Sequence, residues 1–390
     1  MDPRANPYAP GAGSPPPELA GRDELIERAA IALDRIRAGL TAKSLLLVGL
    51  RGVGKTVLLN RMRNDADGRG FTTLAIEAPE GRSLPALLAP PLRAALLKLD
   101  RLAAGGDLAR RALRALGGFI RVMKLKYQDV EFGVDLGAEP GVADSGDLEY
   151  DLAGLLAVIG EAVRERRTAL ALFVDELQYV EEAQLAALIT ALHRCAQRSL
   201  PVTLVGAGLP QLIGQTSRAK SYAERLFDFT EIGPLDEVFA RLALQAPAAQ
   251  HDVAYTEEAL AAIVRQTQGY PYFLQEWGKH CWDCAQTSPI TAADVAVASE
   301  LAVAELDAGF FRVRFDRLTP AEKRYLRAMA NLGPGPHRSG DVAQAMDKPV
   351  QAVAPLRANL IAKGMIYSPA HGDTAFTVPL FDSYLRRVMP

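Results

Sequence analysis

Residues Gly49 to Thr56 read Gly-Leu-Arg-Gly-Val-Gly-Lys-Thr, set between the apolar run Ser44-Leu-Leu-Leu-Val48 and the helix-like stretch Val57-Leu-Leu-Asn-Arg-Met62. An apolar strand, a glycine-rich turn and a helix in this order predict a phosphate-binding loop. Its backbone N–H groups face an anion, and the following helix N-terminus favours negative charge. Gly49, Leu50, Arg51, Gly52, Val53, Gly54, Lys55 and Thr56 are the predicted binding residues. Lys55 is placed to reach the outer phosphates of a nucleotide, and Thr56 to offer its hydroxyl to Mg²⁺.

Such a loop requires a carboxylate on the metal side and a group to activate water. Phe173-Val-Asp175-Glu176 supplies both after an apolar run. Asp175 is expected in the Mg²⁺ shell, and Glu176 is the expected base for the attacking water. Gln178 follows closely, either as a water-orienting group or as an ordinary hydrogen-bonding residue at a helix start. No Asn-Lys-x-Asp string accompanies the loop, which favours ATP over GTP.

The rest of the chain alternates between strand and helix patterns. A helix is predicted from Leu25 to Ile36, strands at 71–76, 169–174, 201–205 and 227–232, and a helix at 181–198. A further helix at 84–102 is expected to break near Pro90 and Pro91. This predicts an α/β fold, a parallel-sheet P-loop NTPase core over residues 19–235 with helices on both faces. Residues 105–146 read as an insertion. It carries a basic piece (Arg110, Arg111, Arg114, Arg121, Lys124, Lys126) that is either a solvated face or a nucleic-acid contact, then a strand-like alternation from Tyr127 to Leu136. Residues 1–18, rich in Pro and Gly, are expected to be extended or disordered.

Residues 236–311 read as a lid of four helices: Ala240–Leu244, Thr256–Gln266, Tyr272–Gln286 and Ala292–Leu306. Residues 312–390 read as three helices and a hairpin, the layout of a winged helix. Thr319-Pro-Ala-Glu322 opens the first helix as a capping box, and Pro355 is expected to kink the third. The last segment, from Arg312, holds 12 Lys and Arg against 6 Asp and Glu, a net +6, whereas residues 1–311 carry −8. A basic module of this shape points to duplex DNA as a partner, with Arg338, Lys348, Gln351, Arg357, Lys363 and His371 as candidate contacts.

With 390 residues, 49% of them hydrophobic and 23% charged, the chain is long enough for several cores. No apolar run approaches a membrane span, and the expected location is cytoplasmic. Three cysteines cannot build a disulfide framework. Cys281-Trp-Asp-Cys284 has the spacing of half a zinc site, without a second pair at a suitable distance.

Taken together, Gly21-Arg22, the phosphate loop, Asp175-Glu176, Val205-Gly-Ala-Gly-Leu-Pro210, Tyr222-Ala-Glu-Arg-Leu-Phe227, Gly269-Tyr-Pro271 and the terminal helices resemble AAA+ ATPases. The resemblance is to the branch of origin-recognition-type initiators and the related STAND signalling ATPases, and it runs from about residue 20 to 390. It implies an ATPase, possible homo-oligomers, and Pro271 near the adenine or ribose. Arg225 falls in the arginine-finger region, with pairing to Glu224 or Asp228 as its alternative role. The sequence departs from the pattern twice. No Asn stands at the polar sensor position after the fourth strand, where Gly206-Ala-Gly208 lies with Thr203 upstream, and the lid lacks its usual arginine. Both departures point to slow hydrolysis. Two functions follow: an ATPase that couples nucleotide state to DNA binding, or a signalling switch whose winged helix makes protein contacts only.

Overall fold

The computed structural model of the chain describes residues 1–11, 13–101, 107–124 and 139–389. It divides into two units, one of Met1–Asp23, Gly49–Gly54 and Ile232–Pro390, the other of Glu24–Val48 and Lys55–Glu231.

The second unit is the sheet. In chain order its elements are α1 (Asp23–Arg37), β1 (Ser44–Val48), α2 (Lys55–Gly68), β2 (Thr72–Glu77), α3 (Leu84–Arg101), α4 (Asp107–Val122), α5 (Leu148–Glu165) and β3 (Leu170–Asp175). They are followed by α6 (Glu182–Gln197), β4 (Val202–Gly208), α7 (Gln211–Ala219), α8 (Ala223–Leu226) and β5 (Phe227–Glu231). Five strands form one sheet in the order β2-β3-β4-β1-β5, every pair parallel. The three inner strands are buried along their whole length, which is why they read as unbroken apolar runs, while the edge strands β2 and β5 are only partly covered.

Helix α3 passes through Pro90 and Pro91 without the expected break. Leu84, Leu88, Leu92 and Leu96 form a fully buried i,i+4 stripe along it, and packing of that stripe outweighs the lost backbone donors. The expected insertion is also more regular than its sequence. Helix α4 buries Ala112, Leu113, Leu116 and Phe119 in the same core as α3 and α5, while Arg110 pairs with Asp100 and Arg111 and Arg114 pair with Glu139. Three of its basic residues, Arg110, Arg111 and Arg114, are thus engaged in local ion pairs. The strand-like alternation Tyr127–Leu136, together with Lys126, lies outside the described residues. Helix α5 is an element that the sequence pattern did not reveal. Asp147 caps it by accepting from the Tyr150 N–H at 2.7 Å, and buried Asp151 accepts from the N–H groups of Ser145 and Gly146.

The first unit holds α9 (Glu237–Ala249), α10 (Glu257–Thr267), α11 (Pro271–Cys284) and α12 (Ala292–Leu306). After a π-helical turn, Asp307–Phe311, come α13 (Arg312–Asp316), α14 (Pro320–Asn331), β6 (His337–Arg338), α15 (Ser339–Ala345), α16 (Val350–Ala362), β7 (Ile366–Tyr367), β8 (Asp373–Phe376) and α17 (Phe381–Val388). The capping box of Thr319 and Glu322 forms as expected. Helix α16 runs through Pro355, and the hairpin gains a third strand, giving an antiparallel sheet in the order β6-β8-β7. The closing helix α17 was not anticipated, although Phe381, Tyr384 and Leu385 are buried along one side of it.

Two sets of contacts tie the first unit together. Residues 1–11, expected to be extended or disordered, instead form a 3₁₀ turn at Pro3–Ala5 and are held down: Tyr8 is buried, its hydroxyl donates to the Leu244 carbonyl and accepts from Tyr255 at 2.8 Å, and Trp282 Nε1 donates to the Asp2 carbonyl. The π-helical turn presents Phe310, stacked on Tyr272 at 4.9 Å between centroids, and Phe311, stacked on Tyr384 at 5.2 Å. These rings join the start of α11 to α17.

Candidate functional site

At the end of β3, Asp175 is buried and its Oδ2 accepts from Thr56 Oγ1 at 2.6 Å, while its Oδ1 accepts from the Glu176 N–H at 2.8 Å. Burial pushes the Asp175 carboxyl up, against the lowering effect of the Thr56 hydroxyl. Thr56 is the second residue of α2, so the sheet and the helix together bring the hydroxyl and the carboxylate side by side. Two hard oxygens, one of them carrying a buried charge that gains from a cation, are a donor set that fits Mg²⁺.

Glu176 adopts a left-handed backbone, φ 55°, where β3 turns into a 3₁₀ turn at Leu177–Tyr179. Its Oε2 accepts from Gln178 Nε2. Gln178 is itself buried, and its Oε1 accepts from the Leu209 N–H at 3.0 Å, just beyond β4. The polar group at the end of the fourth strand is therefore Gln178 rather than a residue of that strand. Thr203 points elsewhere, its Oγ1 lying 3.2 Å from Ser44 Oγ. Gln178 thus holds Glu176 by a side-chain bond, a protein contact of the kind expected for a hydrogen-bonding residue at a helix start.

The loop between β1 and α2 has Gly52 at φ 81° and Gly54 at φ 89°, conformations that disfavour any side chain, so the glycine spacing reflects the backbone path. Gly49–Gly54 belong to the first unit. There the Gly52 carbonyl accepts from the Tyr272 N–H at 3.1 Å, one residue after Pro271 begins α11. The Arg51 N–H donates to the carbonyl of buried Thr377 at 2.9 Å, at the end of the β7–β8 hairpin segment. Gly269, at φ 72°, packs so closely that a Cβ there would lie 2.2 Å from the Leu235 carbonyl oxygen, which accounts for the glycine of Gly269-Tyr-Pro271. Arg22 Nη2 donates to the Gly233 carbonyl at 2.6 Å, anchoring Gly21-Arg22 before the lid.

Arg225, in the short helix α8, is exposed and makes no ion pair among the described residues; Asp228 instead lies 3.7 Å from Arg28. In the C-terminal segment Arg338, Lys348, Gln351 and His371 are exposed. Arg357 is turned inward, donating to Thr374 Oγ1, Ser368 Oγ and the Asp373 carbonyl, and Lys363 Nζ donates to Glu322 Oε2 at 2.8 Å. The structure therefore separates the basic candidates into a displayed group and a group occupied within the domain. Cys281 and Cys284 are free thiols, the first buried.

A parallel five-stranded sheet, a glycine-rich loop after its β1 strand and an Asp-Glu pair ending β3 define a P-loop NTPase core of the AAA+ type. Residues 18–205 match the family model of an AAA ATPase domain, and residues 308–385 match that of a domain of unknown function, DUF8462. No curated protein matches the sequence. Among solved structures, the chain is similar to a Walker-type ATPase of Pyrococcus abyssi, with 16% identity and a TM-score of 0.60 over 94% of this chain and 96% of that one. That likeness shows a shared fold. Weaker similarities are to the ORC1 protein of Aeropyrum pernix in complex with DNA (14%, TM-score 0.49, 95% and 94% covered) and the RuvB Holliday junction branch migration motor of Thermotoga maritima (14%, TM-score 0.44, 91% and 92% covered). No helix among the described residues is long and apolar enough to cross a membrane.

Proposed function

We propose that the chain is a cytoplasmic ATPase of the AAA+ class that hydrolyses ATP slowly and couples its nucleotide state to duplex DNA through a C-terminal winged helix. The observation that carries the catalytic half is the Thr56–Asp175 contact at 2.6 Å, with Glu176 next to it and fixed by Gln178. Lys55 neutralises the outer phosphates and the loop N–H groups orient them. Thr56 and Asp175 would hold Mg²⁺, which neutralises phosphate charge when bound. Glu176 takes the proton of the attacking water, and Gln178 is its positioning residue. Arg225, exposed and outside any ion pair among the described residues, serves a neighbouring copy as an arginine finger in a homo-oligomer. Pro271 lies near the base or ribose.

Coupling rests on the contacts of the loop's first half. Arg51 bonds the hairpin segment at Thr377, and Gly52 bonds α11 at Tyr272, whose ring stacks on Phe310. Any rearrangement of the loop on nucleotide binding therefore bears on the C-terminal segment. Arg338, Lys348 and Gln351 are the DNA contacts this reading uses.

The internal bonding of Arg357 and Lys363 favours the second reading, a signalling switch of the STAND kind in which the terminal module contacts protein only. A salt-dependent shift assay with random duplex DNA, with and without ATP, separates the two. Binding that weakens steeply with salt and changes with ATP supports the DNA reading. No binding at low salt in either state leaves the protein switch.

A further inference from the structure

Glu276 and His280 stand one turn apart on α11, and Glu305 is near the end of α12. His280 Nε2 lies 2.9 Å from Glu305 Oε2 and 3.3 Å from Glu276 Oε1, and the nearest donor atoms of all three lie within 4.8 Å of one another. Glu276 is only 3% exposed and His280 9%, whereas Glu305 reaches the surface. Despite these short distances, neither Glu276 Oε1 nor His280 Nε2 has a partner in hydrogen-bond geometry. A buried carboxylate oxygen and an imidazole nitrogen face each other at ion-pair distance without an aligned hydrogen bond.

We propose that Glu276, His280 and Glu305 form a site for one divalent transition cation of the zinc class, separate from the nucleotide site. Ligands about 2.0–2.1 Å from a tetrahedral ion are about 3.3 Å from each other. The His280–Glu276 separation equals that value and the His280–Glu305 separation, at 2.9 Å, is slightly shorter. One imidazole and two carboxylates suit Zn²⁺ or Mn²⁺ better than Ca²⁺ or Mg²⁺, which prefer oxygen alone. Three protein ligands leave one position for water. Lys279 Nζ lies 3.0 Å from both oxygens of Glu305 and orients that carboxylate, which still has lone pairs to give. Cys281 and Cys284 take no part. The ion clamps α11 to the end of α12, directly before the π-helical turn that carries Phe310 and Phe311.

The test is titration of the metal-stripped, nucleotide-free full chain with Zn²⁺, and with Co²⁺ followed by its visible absorption. One ion per chain, a raised thermal midpoint in Zn²⁺ and no comparable effect of Mg²⁺ are expected. His280→Gln should weaken binding by about tenfold or more. Glu305→Gln, at the exposed edge where folding is not at stake, should do the same and abolish the thermal shift, while Cys284→Ser changes neither. The proposal is overturned if the folded chain binds neither ion stoichiometrically. It is also overturned if both the His280 and Glu305 variants keep full affinity, or if Cys284→Ser removes binding.

Discussion

Replacing Lys363 by Ala should destabilise the C-terminal segment rather than weaken a DNA contact. Glu322 is 2% exposed, receives the Thr319 N–H at 2.7 Å as part of the capping box, and pairs with Lys363 Nζ at 2.8 Å. Burial alone pushes this carboxyl up, but Lys363 and Thr319 together outweigh burial and hold it below the usual carboxylate range. Removing one member of a fully buried pair costs about 3–5 kcal/mol. Because a third of the Lys363 side chain is exposed, water partly replaces it, and about 1–3 kcal/mol is expected. The loss should appear in urea unfolding followed by circular dichroism, as a lower midpoint with unchanged slope.

The pH dependence has a definite sign. A carboxyl held below its unfolded value contributes stability that is fully present above the unfolded value, about pH 4.3, and is lost as pH falls through the folded one. The gap between wild type and Lys363→Ala should therefore be constant near neutrality and close as the solution is acidified below about pH 4.3. Adding Glu322→Gln to Lys363→Ala should recover part of the loss, since no buried charge then lacks its partner. An unchanged urea midpoint combined with a lower salt slope for DNA binding would refute this and place Lys363 on phosphate.

Gln178→Ala should lower turnover with little change in ATP affinity, since Glu176 loses its tether, and should cost about 1–3 kcal/mol because the Leu209 N–H is left without its acceptor; steady-state kinetics beside urea unfolding check both, and unchanged turnover would remove Gln178 from the site. Turnover per subunit should rise with protein concentration, and Arg225→Ala should flatten that rise without weakening ATP binding; a concentration-independent rate in a verified monomer excludes a finger in trans. Replacing Arg338 and Lys348 together should weaken duplex binding and lower the salt slope by up to about 1.8, at roughly 0.9 for each phosphate no longer neutralised. An unaltered slope would show that neither meets the backbone.

The parallel sheet was legible because its inner strands are buried on both faces and so read as pure apolar runs, with the loop and the acidic pair marking two of their ends. Helix α5 adjoins an irregular stretch that hides its start, and α17 follows Pro379 in a run too short to show a period. Pro90 and Pro91 favour a break on local grounds, and tertiary packing overrides that preference. At the site, Asp175 and Thr56 carry a spacing signature, whereas Gln178 acts through the Leu209 backbone, a contact created by folding. The same holds for the basic residues. Composition counts Arg357 and Lys363 as available charge, and only the fold shows them bonded inside the domain. Cys281 and Cys284 have a zinc-type spacing in the sequence itself, while Glu276-x-x-x-His280 needs Glu305 from another helix to become a cluster.

The most direct test is ATP binding and single-site turnover in Mg²⁺ by wild type, Glu176→Gln and Lys55→Ala under the same conditions. The account predicts slow but measurable hydrolysis by wild type. It predicts unchanged ATP affinity with turnover reduced by about 10² to 10⁴-fold in Glu176→Gln, and no ATP binding by Lys55→Ala. Equal turnover by wild type and Glu176→Gln, or micromolar ATP affinity retained by Lys55→Ala, would contradict it.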